Sequence, residues 1–326
     1  MLSFVVIGFN EAPLLAACLE SVRAATLDGM EYELIYVDAG SSDASLEIAE
    51  QAGVDAVLGG DRRRRAAECR NLGLGHARGA YVQFLDGDMA LAPEWPQAAL
   101  TVLSARPEMA AVCGILEERR HDVFFRALQI DWRAPEGEAL YCGGAAMFRS
   151  ETLRAVGGFP EDVQYGEEPL LCWRLRNEHG KRIWHLHQRM AGHDLAFRGF
   201  RDYWRRNVRV GKTYAEIAER LRGTSEPMWR VEVLNTLFWA MMTLVLCSVL
   251  FLGGATVFAR PLALGLLLGV PLRKAVQVRQ RGEVWPVALV YGFHTYLAKL
   301  GAAQGILLWH LGPGPNADRH PTDNPH

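Results

Sequence analysis

The sequence predicts an α/β domain with a mainly parallel sheet, followed by helices that enter a membrane. Three observations carry this. Strand-like apolar runs alternate with helical stretches through residues 1–116, the pattern of strands joined by helical crossovers. Three of the strands end in acidic or amide residues, where open α/β sheets bind their ligands. Apolar residues then concentrate after residue 230, and positions 233–259 are 27 consecutive uncharged residues, more than the ~20 needed to cross a bilayer core.

Composition narrows the function. The 326 residues suit one to two domains, and 35 Lys+Arg against 37 Asp+Glu give a formal net charge of −2. Such a chain lacks the cationic excess that replaces phosphate counterions, so no nucleic-acid partner is expected. Half the residues are hydrophobic and 22% charged, which excludes a disordered chain. Six cysteines, without a CxxC pair or a Cys/His cluster, argue against a disulfide framework or structural zinc and fit a reducing compartment.

The first strand, 2–8, lacks the basic flank of a signal peptide and runs into Phe9-Asn10-Glu11. Leu14, Leu15, Cys18, Leu19 and Val22 then form one helix face. The second strand, 32–38, ends at Asp38 before Gly40-Ser41-Ser42-Asp43. Small residues there admit a ligand to the backbone, and capping explains Ser42 and Asp43 but not Asp38. After a third strand at 54–58, Arg62, Arg63, Arg64, Arg65, Arg70 and Arg78 follow, of which one or two would reach a diphosphate while the rest form a solvated or membrane-facing surface. The glycines at 73, 75 and 79 imitate a dinucleotide fingerprint. They end a helix and precede a strand at the wrong spacing, so no such site is expected. The fourth strand, 80–86, runs into Asp86-Gly87-Asp88, and a fifth lies at 109–115. Two carboxylates flanking a glycine repel each other unless a cation sits between them; Mn2+ or Mg2+ held with a substrate diphosphate fits, against a plain turn.

Gly143-Gly144 precede another apolar strand and mark either close approach or a bend. Glu167-Glu168-Pro169 open a helix, where the carboxylates serve as caps or as a general base at a cleft. Arg198, Arg201, Arg205, Arg209 and Lys212 form one stripe, and Phe197, Phe200, Trp204 and Val208 another, of an amphipathic helix at about 197–222. Docking on an anionic leaflet is the first reading, with packing on the soluble domain, or arginine contact with a lipid diphosphate, as alternatives.

The membrane region, 231–311, reads as two transmembrane helices plus a third, transmembrane or interfacial. The first would turn at Gly253-Gly254, and the second apolar run, 261–272, stops at Arg273-Lys274. The third carries Lys299 on one face with Tyr291 and Thr295, so the lysine lies at the interface or turns towards protein. Arg273, Lys274, Arg279 and Arg281 between the second and third place that loop, and therefore residues 1–230, on the cytoplasmic side. The Pro-rich polar tail, 312–326, is expected to be disordered.

Taken in order, Val6-Ile7-Gly8-Phe9-Asn10-Glu11, Val37-Asp38-Ala39-Gly40-Ser41-Ser42-Asp43, Arg70-Asn71-Leu72-Gly73, Phe84-Leu85-Asp86-Gly87-Asp88 and Gly166-Glu167-Glu168-Pro169 resemble a family-two inverting glycosyltransferase with the GT-A fold. The resemblance spans about residues 1–220 and implies a Rossmann-like GT-A domain at 1–222. It implies a nucleotide-diphospho-sugar donor and a lipid-linked or glycan acceptor at the inner membrane, in cell-surface polysaccharide or glycolipid synthesis. Asp38 would bind the nucleoside with Asn10 or Glu11 nearby, and Arg70 and Gly144 would belong to the nucleotide-sugar site. Asp86 would face the ribose or sugar and join Asp88 in the site for Mn2+ or Mg2+, which Asp88 would ligate, with His193 either a further metal or diphosphate contact or a structural residue. Glu168 would be the base, with Glu167 its rival, although the family more often has Asp there. The QxxRW pattern of processive synthases is absent, which favours single addition. The other classes weighed are a non-catalytic nucleotide-sugar scaffold and a phosphohydrolase using Asp86 as nucleophile; the order of the acidic motifs disfavours the second.

Overall fold

The computed structural model describes residues 1–27, 29–195, 197–252 and 258–312. Its first half alternates β1 (Leu2–Gly8), α1 (Ala12–Arg23), β2 (Tyr32–Asp38), α2 (Ser45–Gln51), β3 (Ala56–Gly59), α3 (Ala66–His76) and β4 (Tyr81–Asp86). The predicted face of α1 is the buried one, with Leu15, Cys18, Leu19 and Val22 inside. β5 (Ala90–Leu91), α4 (Trp95–Ala105), β6 (Met109–Glu118), α5 (Val123–Leu128), β7 (Gly137–Ala139), β8 (Met147–Arg149), α6 (Ser150–Ala155), α7 (Glu167–Asn177) and β9 (Arg182–His193) complete the α/β part.

Among the described residues the strands form one nine-stranded sheet in the order β3-β2-β1-β4-β8-β6-β9-β5, with β7 on β9. The first four strands are parallel, so the ends of β1, β2 and β4 open on the same edge. The sheet is more mixed than the sequence predicts. β8 enters antiparallel between β4 and β6 because the chain returns after Gly143-Gly144. β9 pairs parallel with β6 through register shifts that bring His193 opposite Glu118. Gly73, from the misleading glycine run, lies in α3, where a side chain would strike Val5; its role is helix-to-sheet packing.

At the opposite edge a polar network ties β1 to β2. Buried Glu33 accepts Ser3 Oγ at 2.6 Å, the Arg78 amide at 2.6 Å and Arg78 Nε at 2.8 Å, while Ser3 Oγ accepts Gly79 N at 2.8 Å. Glu33→Ala leaves the buried Ser3 hydroxyl and the part-buried Arg78 amide without their acceptor and is expected to cost about 2–3 kcal/mol. Thermal unfolding followed by circular dichroism should fall by about 5–10 °C. Because the network lies away from the open edge, ligand binding there should be unchanged.

Three long helices follow α8 (Phe200–Arg220): α9 (Arg230–Leu252), α10 (Ala259–Gln280) and α11 (Trp285–Leu311). Two stretches, Arg230–Phe251 and Ala259–Gln280, are long and apolar enough to cross a membrane, with mean hydropathies of 2.0 and 1.3. Their outer faces expose Leu234, Phe238, Leu244, Phe251, Leu262 and Leu264. The second helix continues past Arg273-Lys274, where its apolar run ends. Both are good helix formers, and α10 runs on through Arg279 until Gly282, whose φ of +103° ends it. The supposed basic loop is thus mostly helix.

α11 packs one face on its neighbours and exposes Phe293, Leu307 and Leu311 on another. Gly211 of α8 meets the Ala302 backbone, Gly305 meets Val208 of α8, and Gly292 meets Pro271 of α10. Trp204 Nε1 donates to Gln304 Oε1 at 2.7 Å. The Trp204 and Val208 part of the apolar stripe of α8 therefore packs on α11, while Phe200 at its start stays exposed. The turn expected at Gly253-Gly254 and the tail from residue 313 onward lie outside the described residues.

Candidate active site

The strand ends open onto two stitched loops. Asn10 takes the left-handed conformation at φ +57°, which its short amide tolerates, and its Oδ1 accepts Ser42 N at 2.8 Å. Asp43 accepts the Ala12 amide at 3.0 Å, so it caps α1 from the neighbouring loop. Asp38 is fully buried; Oδ1 accepts the Gly40 and Ser41 amides, both at 2.7 Å, and Oδ2 accepts the Tyr36 hydroxyl at 3.1 Å. The Asp38 carboxylate, which the sequence offers as a nucleoside contact, is spent on holding the loop at residues 40 and 41.

Beyond β4 the acidic groups accumulate. Asp86 and Asp88 leave the strand end, and Glu11 packs against Gly87 between them. Burial, then the charges of Asp88, Asp86 and Asp43, push Glu11 up to about 8. Burial and Asp86 push Asp88 up to about 7. His193 arrives from the end of β9, with Nε2 3.7 Å from Asp88 Oδ2. Burial holds its imidazole below the ordinary range, which favours the neutral form a metal ligand requires.

Arg70 sits beneath the carboxylates. One buried guanidinium reaches three acids: Nη2 is 3.1 Å from Asp86 Oδ1, and Nη1 is 3.2 Å from Glu168 Oε1 and 3.4 Å from Glu167 Oε1. Burial alone would weaken its charge, but Asp86, Glu168 and Glu167 outweigh it and keep it protonated. With no open surface, Arg70 would act on a ligand only through the acids it holds. Glu167 and Glu168 stand in the first turn of α7, after Gly166 at φ +87°. Burial and Glu167 push Glu168 upwards, and Arg70 opposes this.

Gly144 explains itself here. The close approach is that of Arg70, whose Nη2 lies where a Cβ would stand, with Glu168 Oε1 at 3.0 Å. Three carboxylates hold Arg70 in place, so Gly144→Ala would have to break that set. We expect turnover to fall by at least about tenfold, with the fold retained; a rate assay beside circular dichroism tests this.

Three neighbours carry no sequence signal. Trp132 sets its ring edge-on to His193 at 6.1 Å, and the Arg206 guanidinium lies 5.8 Å from the same ring. Glu118, buried, accepts the Leu195 amide at 2.8 Å and the Arg120 amide at 3.2 Å, fixing the chain on either side of His193. The strand that delivers His193 did carry a sign, the alternation of Trp184 and Leu186 with His185 and His187.

The residues fit a divalent cation in one corner. Asp88 Oδ1 and His193 Nδ1 are both buried without a hydrogen-bond partner, beside a surplus of carboxylates. Among the described residues no three His, Cys, Asp or Glu side chains already form a metal-ready group. Such an ion would take one or two protein ligands and complete its shell with water and substrate phosphate, as Mg2+ and Mn2+ commonly do.

Residues 3–156 match the family Glycosyl transferase family 2. Glycosyltransferase AglE of Haloferax volcanii is 25% identical over 228 residues, 66% of this chain and 73% of that relative. The pre-mycofactocin glycosyltransferase of Mycobacterium tuberculosis is 29% identical over 184 residues, and there the match spans 39% of the relative's length. Among solved structures, a mannosyltransferase from Pyrobaculum calidifontis in complex with GDP-Man and Mn2+ superposes with a TM-score of 0.68 at 21% identity, over 94% of this chain and 86% of that one. S. aureus TarS in complex with UDP gives 0.51 at 17% identity, over 96% and 92%. At these identities the likeness to the solved structures is one of fold.

Proposed function

Residues 3–156 are a glycosyl transferase family 2 domain of GT-A fold, and from that premise we propose that the chain moves a sugar from a nucleotide-diphospho-sugar to a hydroxyl of a lipid-linked acceptor, with inversion at the anomeric carbon. One observation carries the reading. The Arg70 guanidinium joins Asp86, on the donor side, to Glu167 and Glu168 in a single knot. A base and a donor site are thereby held within one rigid unit.

Glu168 takes the proton of the acceptor hydroxyl as that oxygen attacks the anomeric carbon from the face opposite the diphosphate. Arg70 orients the carboxylate and stabilises its ionised form. Asp88 and His193 would hold the divalent cation, which when bound neutralises charge on the departing nucleoside diphosphate. Glu11 and Asp86 line the same corner, and the loops held by Asn10 and Asp38 form the nucleoside side.

We take residues 1–222 as the catalytic domain and 231–311 as the membrane region. The exposed apolar faces of α9 and α10 support a membrane-proximal acceptor, in cell-surface glycolipid or polysaccharide synthesis. The positive charges at Arg273, Lys274, Arg279 and Arg281 support a cytoplasmic catalytic face. Calorimetric titration of the detergent-purified chain with UDP, GDP and dTDP, with and without Mn2+, tests the donor half. Metal-dependent binding of one nucleotide is expected; a folded sample that binds none overturns the reading.

A further inference from the structure

We propose that Glu216, on α8, is a positioning residue for the catalytic carboxylate: it fixes the loop that launches α7, so the helix seated against α11 sets where Glu168 stands. The proposal rests on the reading of Glu168 as the base.

Glu216 is 1% exposed, yet it is a carboxylate on a helix that otherwise buries apolar and small residues. Its oxygens are committed to backbone. Oε1 accepts Gln164 N at 3.0 Å, and Oε2 accepts Tyr165 N at 2.8 Å. Arg220 Nε donates to Oε1 at 3.2 Å, and Arg220 Nη1 reaches Asp162 Oδ2 at 2.7 Å, on the same loop. An apolar residue at 216 would leave two part-buried amides without their acceptor.

The grip extends to the residue before α7. Gly166 presses against α8 so closely that a Cβ would lie 2.9 Å from both Thr213 and Ile217. Lys212 Nζ lies 3.4 Å from the Tyr165 hydroxyl. Positions 212, 213, 216, 217 and 220 thus form one face that holds residues 162–166. Elsewhere on its surface the same helix is locked to α11, through Gly211 against Ala302 and through Trp309 Nε1 to Glu219 Oε2 at 2.9 Å. Two residues separate Tyr165, held by Glu216, from Glu168. The chain between has little freedom to absorb a displacement, and misplacing a catalytic group by ~1 Å can cost about 100-fold in rate.

Glu216→Gln tests this in the full detergent-purified chain. It turns one accepting oxygen into a donor that faces donors. The nucleotide that binds with Mn2+ supplies the matching nucleotide-sugar, and a total bacterial lipid extract supplies acceptor. We expect kcat to fall about 10- to 100-fold, with the donor KM and nucleotide affinity within about threefold of the parent. The acid limb of the pH–rate profile should move, since Glu168 changes its distance from Arg70. Hydrogen exchange should quicken at amides 163–168 and stay unchanged in β1 and β4. Unchanged kcat and unchanged exchange overturn the proposal. So does a loss of nucleotide binding with faster exchange across the sheet, which would make Glu216 a general structural residue. Should Glu216→Gln fail to fold, Arg220→Ala loosens the same loop and is read identically. If Glu168→Gln stays active, the base reading itself fails; if Glu168→Gln is inert while Glu216→Gln behaves as the parent, only the positioning role fails.

Discussion

Replacing Asp88 with alanine is expected to abolish metal-dependent nucleotide binding while leaving the fold intact. Asp88 carries an unpartnered buried oxygen beside an unpartnered His193 nitrogen, and Asp86, Asp194 and Glu11 outnumber the cation near it, Arg119. Altering partners that merely orient a ligand costs ~10–100-fold in metal affinity, so deleting the ligand itself should weaken nucleotide binding in Mn2+ by at least about 100-fold. His193→Ala should fall short of this, because the carboxylate survives. Stability should move the other way. Burial and Asp86 raise the Asp88 pKa from 3.8 to about 7, so the folded protein favours the protonated acid. That contribution is present below pH 4 and is lost as pH rises through about 7. In chelator, the parent's melting temperature should therefore drop more between pH 5 and pH 8 than that of Asp88→Ala. Equal nucleotide binding by the two proteins in Mn2+ would remove Asp88 from the site. A melting temperature that falls in the variant would show the carboxylate to be a structural partner instead.

How much of this was legible beforehand follows from which forces act locally. The ends of β1, β2 and β4 were readable because an apolar run stopping at an acid is a local pattern, and the parallel register of those strands then places Gly8, Asp38 and Asp86 on one edge. Arg70 was visible as a basic residue but not as the centre of the site. Its meaning depends on α3 meeting α7 across 97 and 98 positions of sequence. Gly144 likewise read as a ligand approach or a bend, and only Arg70 packed against it decides which. Glu216 was hidden by type. A glutamate on a basic amphipathic helix looks like a solvated residue until two amides from a distant loop are found on it. α10 outlasts its apolar run because charge does not end a helix; it stops where its backbone can turn, at Gly282.

The choice between the two glutamates has a pH signature. Burial and the charge of Glu167 push Glu168 up to about 7, against the pull of Arg70. A base must be ionised to accept a proton, so kcat/KM should rise with pH and level off above about 7. Measurements at saturating Mn2+ suppress the separate titration of Asp88. Glu168→Gln removes the acceptor of the proton and should lower kcat by about 100- to 10,000-fold, the usual worth of general-base catalysis, with donor affinity retained. Glu167→Gln should keep most of the rate. Deleting its charge also removes a repulsion that raises Glu168, so the acid limb should shift to lower pH, and the variant should outperform the parent's relative rate at pH 6. The opposite result, a dead Glu167→Gln beside an active Glu168→Gln, would reassign the base by one position. Arg70 contacts both carboxylates, at 3.4 and 3.2 Å, so the reassignment would leave the knot intact and change only which acid faces the acceptor.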